Sequence, residues 1–349
     1  MSGTSADGVD LVHAEITGKP PRVEAIVTGS KSVLYPDSLR QQVLKAMRIP
    51  FSAQEFALLH ADLGRFYAQN ALTMTKADLV ALHGQTIWHE PPLATLQIGE
   101  AAFIAAELQI PVVSDFRPAD LALGGQAAPL VAYPDFLLYG EPGHRRSIHN
   151  LGGISNLTYI PSNNSEDLLA FDTGPANCLI DEAAATLGLN FDRDGKLAQA
   201  GKSDLGLVTN WLNHPYLRLP PPKSTGRETW HLGNLPGIER VQGADLIATV
   251  TTFTVASISR AYQDFVLPLG LDEIYLAGGG SANPVLVAGL RAALPVAVRP
   301  LADLGVAECD REALAFAVLG YLRYHNIPNI AAPATGAKAW ARGGKISLP

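Results

Sequence analysis

The chain has 349 residues, of which 47% are hydrophobic and 17% charged. That balance excludes a disordered chain, and the length suits two lobes better than a single core. A net charge of −7 argues against nucleic-acid and anionic-membrane partners. No run of about 18 apolar residues marks a membrane span. Cys178 and Cys309 are too far apart in sequence to suggest a disulfide framework or a zinc site by themselves. They fit a reducing compartment, and Met1 to Ser5 has none of the features of a signal peptide. A cytoplasmic protein is expected.

Strand signals open the chain and helices follow. Ser52-Ala53-Gln54-Glu55 reads as a capping box. Beyond it Phe56, Leu59, Leu63, Phe66 and Tyr67 share one helical face. A strand is predicted over Leu79 to Leu82, a helix over Gly99 to Leu108 and a buried strand over Ile110 to Ser114. Ser147 to Asn150 and Asn156 to Ile160 read as strands joined by the turn Gly152-Gly153. Leu168 to Asp172 is a third strand, and a helix runs from Asn177 to Leu187, stopping at Gly188. Gly243 to Val266 is a long helix, Glu273 to Ala277 a strand, and Asp310 to Tyr324 a helix that returns the chain to the first lobe. Alternating strands and helices predict an α/β fold. The lobes are expected at residues 1–135 with 323–349, and at 136–322.

Glycine-bearing turns carry the chemistry. Ser2-Gly3-Thr4-Ser5-Ala6-Asp7-Gly8, leading into Val9 and Asp10, offers backbone N–H groups to phosphate oxygens, with Asp7 placed to orient a metal or water. Gly152-Gly153 makes a second such bend. Gly278-Gly279-Gly280, followed by Asn283 at a helix start, lets a nucleotide lie on bare backbone. Each alone is also what a hairpin turn or an ordinary strand-to-helix link looks like. No G-x-x-x-x-G-K-[ST] loop occurs, and the third turn fails G-x-G-x-x-G at its last position. A phosphate site here has to be built from paired hairpins, as in the actin, hexokinase and heat-shock ATPase superfamily.

Asp172, in Phe171-Asp172-Thr173-Gly174-Pro175, is expected at a strand end in a turn that opens a helix. It is a candidate catalytic carboxylate or a helix cap. His83, Gln85 and Thr86 at another strand end, with Arg117 and Asp120, suit a sugar, since amides and imidazoles bind hydroxyls. A zinc reading of His83 and His89 lacks a third ligand. Lys223-Ser224-Thr225-Gly226-Arg227-Glu228 is a cationic, hydroxyl-rich loop, or simply an exposed one.

Together these stretches resemble the anhydro-N-acetylmuramic acid kinase family. The combination of MSGTSADGVD, FDTGPANCLID and KSTGRE carries the resemblance, and the matching stretches span nearly the whole chain. The resemblance implies a two-lobed actin-like ATPase (ribonuclease H-like) fold with ATP and Mg²⁺ in the interlobe cleft, a homodimer, and a sugar substrate. The reaction it implies converts 1,6-anhydro-N-acetylmuramic acid to N-acetylmuramic acid 6-phosphate. Asp172 is then the base that activates water, and Glu312 of the Arg-Glu-Ala stretch orients the water or the base. A hexose kinase of the same fold is the alternative. Family members usually carry residues before the Met-Ser-Gly-Thr-Ser motif, so the first lobe's central strand is expected to be short here.

Overall fold

The computed structural model describes residues 1–349 except Thr4, Ser5, Ile49, Thr75 and Asn163. In chain order the elements used below are β1 (Gly8–Lys19), β2 (Arg22–Leu34), α1 (Asp37–Ala46), α2 (Ala53–Ala71), β3 (Val80–Leu82), β4 (Gln85–Glu90), β5 (Ala94–Ile98), α3 (Ala101–Leu108), β6 (Val112–Ser114) and α4 (Ala132–Tyr139). They continue with β7 (Arg146–Leu151), β8 (Ile154–Ile160), β9 (Leu169–Pro175), α5 (Asn177–Ala185), α6 (Gly243–Ala261), β10 (Glu273–Ala277), α7 (Pro284–Ala293), β11 (Ala297–Pro300), α8 (Arg311–Tyr324) and β12 (Lys345–Ser347). The chain divides into two units, Met1–Leu138 with Cys309–Pro349, and Tyr139–Glu308. The return to the first unit thus precedes α8, rather than following it at residue 323. The apolar face of α8 explains this, because Phe316 and Leu319 pack on Val113 and Phe116 of the first unit.

In the first unit, α2 begins where the sequence says it should. Ser52 Oγ accepts from Glu55 N at 3.2 Å, while Ser52 N donates to Glu55 Oε2 at 2.9 Å, satisfying two orphan amides reciprocally. The helix buries Leu59 and Leu63 completely, in a cluster with Ile98, Ile104 and Val112. Each such leucine contributes about 1.5–3 kcal/mol by leaving water. The stretch around Gln85 is a strand in its own right, paired antiparallel with β5. The sequence alone predicts it as the end of β3. Met1 lies beside β1: Asp10 N donates to Met1 O at 2.8 Å, and the Met1 ammonium donates to Asp10 O at 2.6 Å. Burial pushes that ammonium down to about 6, against the pull of the Asp10 and Glu312 carboxylates.

The second unit is built on one five-stranded sheet, in the order β11-β10-β7-β8-β9. β7, β8 and β9 form an antiparallel meander, whereas β10 and β11 run parallel to β7. In order of appearance the strands lie 3-2-1-4-5 with the second reversed, which is the ribonuclease H-like arrangement that the family resemblance implies. α6 packs against β9 and α5. Its apolar side, with Ile247, Val250 and Phe253, joins Leu179, Trp211 and Trp230 in one core. Along β7 every residue but Arg146 and Asn150 is buried, as a central strand covered on both faces requires.

An ion pair ties the returning helix into the first unit. Arg311 Nε donates to Asp135 Oδ1 at 3.2 Å, and Arg311 Nη2 donates to Asp135 Oδ2, with both side chains buried. Asp135→Ala leaves the guanidinium buried without this carboxylate and is expected to cost about 3–5 kcal/mol in a urea unfolding titration. The pair Asp135→Leu with Arg311→Met is expected to recover most of that loss. A single variant as stable as the parent would show that the pair does not anchor α8.

Candidate active site

Asp172 is the fourth residue of β9, not a residue of a turn beyond the strand. It does not cap α5, whose N-cap is Ala176 with no side-chain cap bond. The strand continues through Thr173-Gly174-Pro175 because the ladder to β8 goes on, with Ser155 facing Gly174 and Asn156 facing Asp172. The register slips between those two pairs, which leaves Thr173 as the extra residue of a bulge. Bulges turn side chains out of the regular alternation, and they recur beside functional sites. This one is held by a buried chain of polar groups. Thr173 Oγ1 lies 2.6 Å from Ser155 Oγ, Ser155 Oγ 2.7 Å from His149 Nε2, His149 Nδ1 3.0 Å from Tyr262 Oη, and Tyr262 Oη 2.8 Å from Ser147 Oγ.

Three further contacts fix Asp172 itself. Its backbone N–H donates to Lys223 O at 3.1 Å, and its backbone carbonyl accepts from Tyr216 Oη at 2.7 Å. Its carboxylate Oδ2 accepts from Thr225 N at 2.9 Å. Burial pushes the carboxyl up to about 7, opposed by the Thr225 N–H and reinforced by the nearby Glu228 charge. Such a carboxyl exchanges its proton near neutrality, which suits a general base. Lys223 is anchored, not exposed: its Nζ donates to Tyr216 O at 3.2 Å and Leu217 O at 3.3 Å, and sits 4.8 Å from the Phe265 ring centre. Burial pulls that ammonium down to about 8.

The two glycine turns of this unit meet the start of α5 and α7. Asn177 N donates to Gly152 O at 3.0 Å and Cys178 N to Gly153 O at 3.0 Å, so the hairpin turn rests on the helix N-terminus. Asn177 Nδ2 adds bonds to Leu151 O and Gly152 O, both at 2.9 Å. A side chain at Gly153 would come within 3.0 Å of Arg227 Nη2, so the Arg227 guanidinium lies over this turn. In the other turn Gly278 has φ +79°, and a Cβ there would meet Asn150 Oδ1 at 2.5 Å. A Cβ at Gly280 would meet Leu151 Cβ at 2.8 Å, whereas one at Gly279 would have no protein atom within 4 Å. Asn283 caps α7, with Oδ1 accepting from Val285 N at 3.0 Å. The glycines therefore leave an open backbone surface at Gly279, the space a planar ligand would need.

In the first unit Thr4 and Ser5 lie outside the described residues. Gly3 O accepts from Ala6 N at 3.2 Å and from Gln85 Nε2 at 3.0 Å. Ala6 has φ +55°, and Gly8 is required by the close approach of Val33 O, 2.1 Å from where a Cβ would lie. Val9 is buried, Asp7 pairs with Arg40 at 3.0 Å, and Asp10 Oδ1 accepts from Ser32 Oγ at 2.6 Å. His83 and Gln85 clamp the N-terminal turn. His83 Nδ1 lies 2.7 Å from Gly84 O, and Nε2 accepts from Arg117 Nη2 at 2.9 Å, so the ring carries its proton on Nδ1. Burial and the Arg117 charge hold this imidazole neutral, well below its usual range. Asp120 uses both oxygens to hold its own loop, accepting from Ala127 N and Thr335 Oγ1, each at 2.7 Å. Thr86 Oγ1 is 3.4 Å from Gln97 Nε2. Glu312 stands in the first turn of α8 and acts electrostatically on Arg117, which burial pulls down to about 10.

The sequence reading missed Tyr216, and Thr225 was only one member of a loop. Their contacts with Asp172 cross 44 and 53 residues of sequence, and no local pattern signals them. Also unforeseen is a cavity of about 390 Å³ lined by Cys178, Asp181, Glu182, Arg227, Trp230 and His231. The only cue to it in the sequence is Trp230-His231 close behind KSTGRE. Among the described residues no group of three or more His, Cys, Asp or Glu could hold a metal ion, and no helix is long and apolar enough to cross a membrane.

Residues 1–348 match the family described as anhydro-N-acetylmuramic acid kinase. The chain belongs to this family. An anhydro-N-acetylmuramic acid kinase of Synechococcus elongatus is 40% identical over 369 residues, covering 99% of this chain and 97% of the relative. The corresponding Bacillus cereus protein is 39% identical, covering 100% and 98%, and that of a Picosynechococcus strain 39%, also covering 100% and 98%.

The glycines of the third turn make a clean contrast. Gly280→Ala forces a methyl against Leu151 and Asn177 and is expected to cost about 1–3 kcal/mol in a denaturation curve. Gly279→Ala is expected to change stability by less than about 0.5 kcal/mol. Equal losses at the two positions would contradict the open surface at Gly279.

Proposed function

We propose that the chain opens 1,6-anhydro-N-acetylmuramic acid with water and transfers the γ-phosphate of ATP to O6, releasing N-acetylmuramic acid 6-phosphate. Its curated relatives are named anhydro-N-acetylmuramic acid kinases, and in this reading the protein serves cell-wall recycling in the cytoplasm. The observation that carries the reading is Asp172, a half-buried carboxyl poised near 7 and fixed by the Thr225 N–H.

Cleaving the bridge builds oxocarbenium character at C1 and negative charge at O6. In this reading the ionised Asp172 takes the proton of the attacking water, and O6 leaves by bonding to phosphorus instead of to a proton. One positioned base then suffices, worth typically about 10²–10⁴-fold. Glu312 is the second carboxylate of the proposal and orients the water or the base. His83, Gln85, Thr86, Arg117 and Asp120 are the proposed sugar-binding residues, of which His83, Gln85 and Asp120 also hold the turns in which they sit. The backbone N–H groups of the turns at Gly3 and Gly152 are assigned to the phosphates, and the bare surface at Gly279 to the nucleoside. Mg²⁺ supplies charge neutralisation on the phosphates. Asp7 and Asp10 are the carboxylates nearest the first turn for it, and phosphate-bound Mg²⁺ needs only one or two.

Because Gly279 has free space on its protein side, Gly279→Val is expected to fold as the parent does and to weaken ATP binding at least tenfold in a calorimetric titration. Parent-like affinity would remove the third turn from the nucleotide site.

The deciding experiment follows the product by proton NMR during the first minutes. The bridge occupies the β face of C1, so water activated by Asp172 attacks from the other face and gives the α anomer first. Asp172→Asn keeps an acceptor for the Thr225 N–H and is expected to lower turnover on the order of 10²-fold or more. The base must be ionised, so kcat/KM is expected to fall about tenfold per pH unit below about 7. Glu228→Gln removes a charge that raises the Asp172 pKa, and the acid limb should move to lower pH. An initial β anomer, or near-normal turnover in Asp172→Asn, would defeat the assignment of the base.

A further inference from the structure

By exposure alone Arg227 would pass for an ordinary solvated charge. Its surroundings say otherwise. A Cβ built on Gly153 would lie 3.0 Å from Arg227 Nη2, 3.4 Å from Nε and 3.5 Å from Cζ. Atoms of one planar group at such similar distances mean that the guanidinium lies flat against the turn between β7 and β8. Among the described residues Arg227 makes no hydrogen bond and no ion pair, so its donors are left for another partner.

The loop that carries Arg227 is anchored before and after it. Lys223 is buried, and its ammonium donates to Tyr216 O and Leu217 O. Thr225 N donates to Asp172 Oδ2 at 2.9 Å. Thr229 N and Trp230 N both donate to Gly226 O at 3.2 Å, which closes a turn around Arg227. The Trp230 ring then enters the core beside Phe253. One short loop therefore holds the proposed base through Thr225 and covers the proposed phosphate turn with Arg227.

That turn is set to receive an anion. Gly152 O accepts from Asn177 N and Gly153 O from Cys178 N, both at 3.0 Å. In a planar trans peptide the N–H opposes the C=O, so the Gly153 N–H points away from α5. Two carboxylates of α5 could compete for the guanidinium. Glu182 Oε2 is committed to Leu232 N at 2.8 Å. Burial pushes the Asp181 carboxyl up and the Arg227 charge pulls it down, yet the two form no ion pair. The guanidinium stays on the turn with its charge uncompensated by a direct contact.

We infer that Arg227 is a catalytic residue of the phosphoryl transfer, donating from its guanidinium to the γ-phosphate of ATP at the Gly152-Gly153 turn. The inference rests on the kinase reading above. In that reaction water bonds to C1 and gives its proton to Asp172, while the C1–O6 electron pair passes to O6. The O6–phosphorus bond forms, the bond from phosphorus to the bridging oxygen breaks, and ADP leaves with that electron pair. Arg227 keeps its proton throughout. Its planar fork engages two phosphate oxygens at once, where a lysine offers a point charge. A fixed charge of this kind acts most strongly where negative charge develops in a site closed to water.

The test pairs two nucleotides. ADP and the non-hydrolysable imido analogue of ATP, each with Mg²⁺, are titrated calorimetrically into the parent chain, Arg227→Gln and Arg227→Lys. Arg227→Gln is expected to weaken the triphosphate analogue about tenfold or more and to leave ADP within about twofold, with Arg227→Lys in between. Turnover of Arg227→Gln is expected to fall on the order of 10²–10³-fold. Its melting temperature should stay within about 2 °C of the parent's, since the side chain is exposed. Added guanidinium ion is expected to restore part of the turnover of Arg227→Ala and none of that of Asp172→Asn. Equal losses for the two nucleotides, or no loss for either, overturn the inference. The nucleotide pair contains no sugar, so it judges Arg227 whichever sugar the chain phosphorylates. A parent that phosphorylates no 1,6-anhydro sugar defeats the sugar reading alone, and a parent that binds neither nucleotide defeats the kinase reading and this inference with it.

Discussion

Holding a carboxyl half out of water, near the balance between its charged and protonated forms, is the constraint on which the proposed site depends. Desolvation alone favours the protonated form of Asp172, and a carboxyl held by strong donors would be too weak a base. The observed compromise is one backbone donor, Thr225 N, set against burial and the Glu228 charge. Everything around it serves that balance. The loop that supplies the donor is pinned by Lys223, whose ammonium has two carbonyls to bond and an aromatic surround. The strand that carries the carboxylate is bulged at its next residue, and the bulge rests on a fully buried hydroxyl and imidazole chain. Such a network is rigid because each member satisfies the next, and an unsatisfied member would be costly in a medium of low dielectric.

The first unit uses the same currency differently. His83, Gln85 and Ser2 spend their polar atoms on the turn between Met1 and β1, and Asp120 on the turn before Ala127. Composition suggests His83, Gln85 and Asp120 for binding a sugar hydroxyl, and each also bonds a neighbouring backbone atom. A polar side chain at a strand end is ambiguous in sequence because the same donors serve a ligand or a neighbouring backbone, and only burial decides between them.

Much of the architecture was legible. The capping box at Ser52 fixed the start of α2, and the glycines at 152–153 and 278–280 marked the turns to within a residue or two. β10 was read with its observed bounds because Gly278 stops an apolar run abruptly. Legibility failed where pairing is long-range. β9 runs three residues beyond the predicted Asp172 end, since a ladder partner extends a strand through Gly-Pro where local propensity stops it. Gln85 to Glu90 became a strand because β5 lies beside it. The position of Asp172 was legible, whereas its environment was not, because Tyr216 and Thr225 reach it only through the tertiary fold. The structure puts the whole of α8 in the first unit.

The division of the chain also orders events during synthesis. The second unit is one uninterrupted segment, complete once Glu308 has been made. The first unit is assembled from segments on either side of the second, and its β6 edge is covered by β12, which follows the second unit in the chain. α8, which packs on β1 and β3, also arrives late. The amino-terminal half-unit therefore waits, with apolar faces of β1, β3 and α3 uncovered, while a whole second body is made and folds. The interval in which this protein is most open to aggregation or to chaperone capture is set by its topology. It lasts at least as long as the ribosome takes to travel from residue 138 to the end of β12.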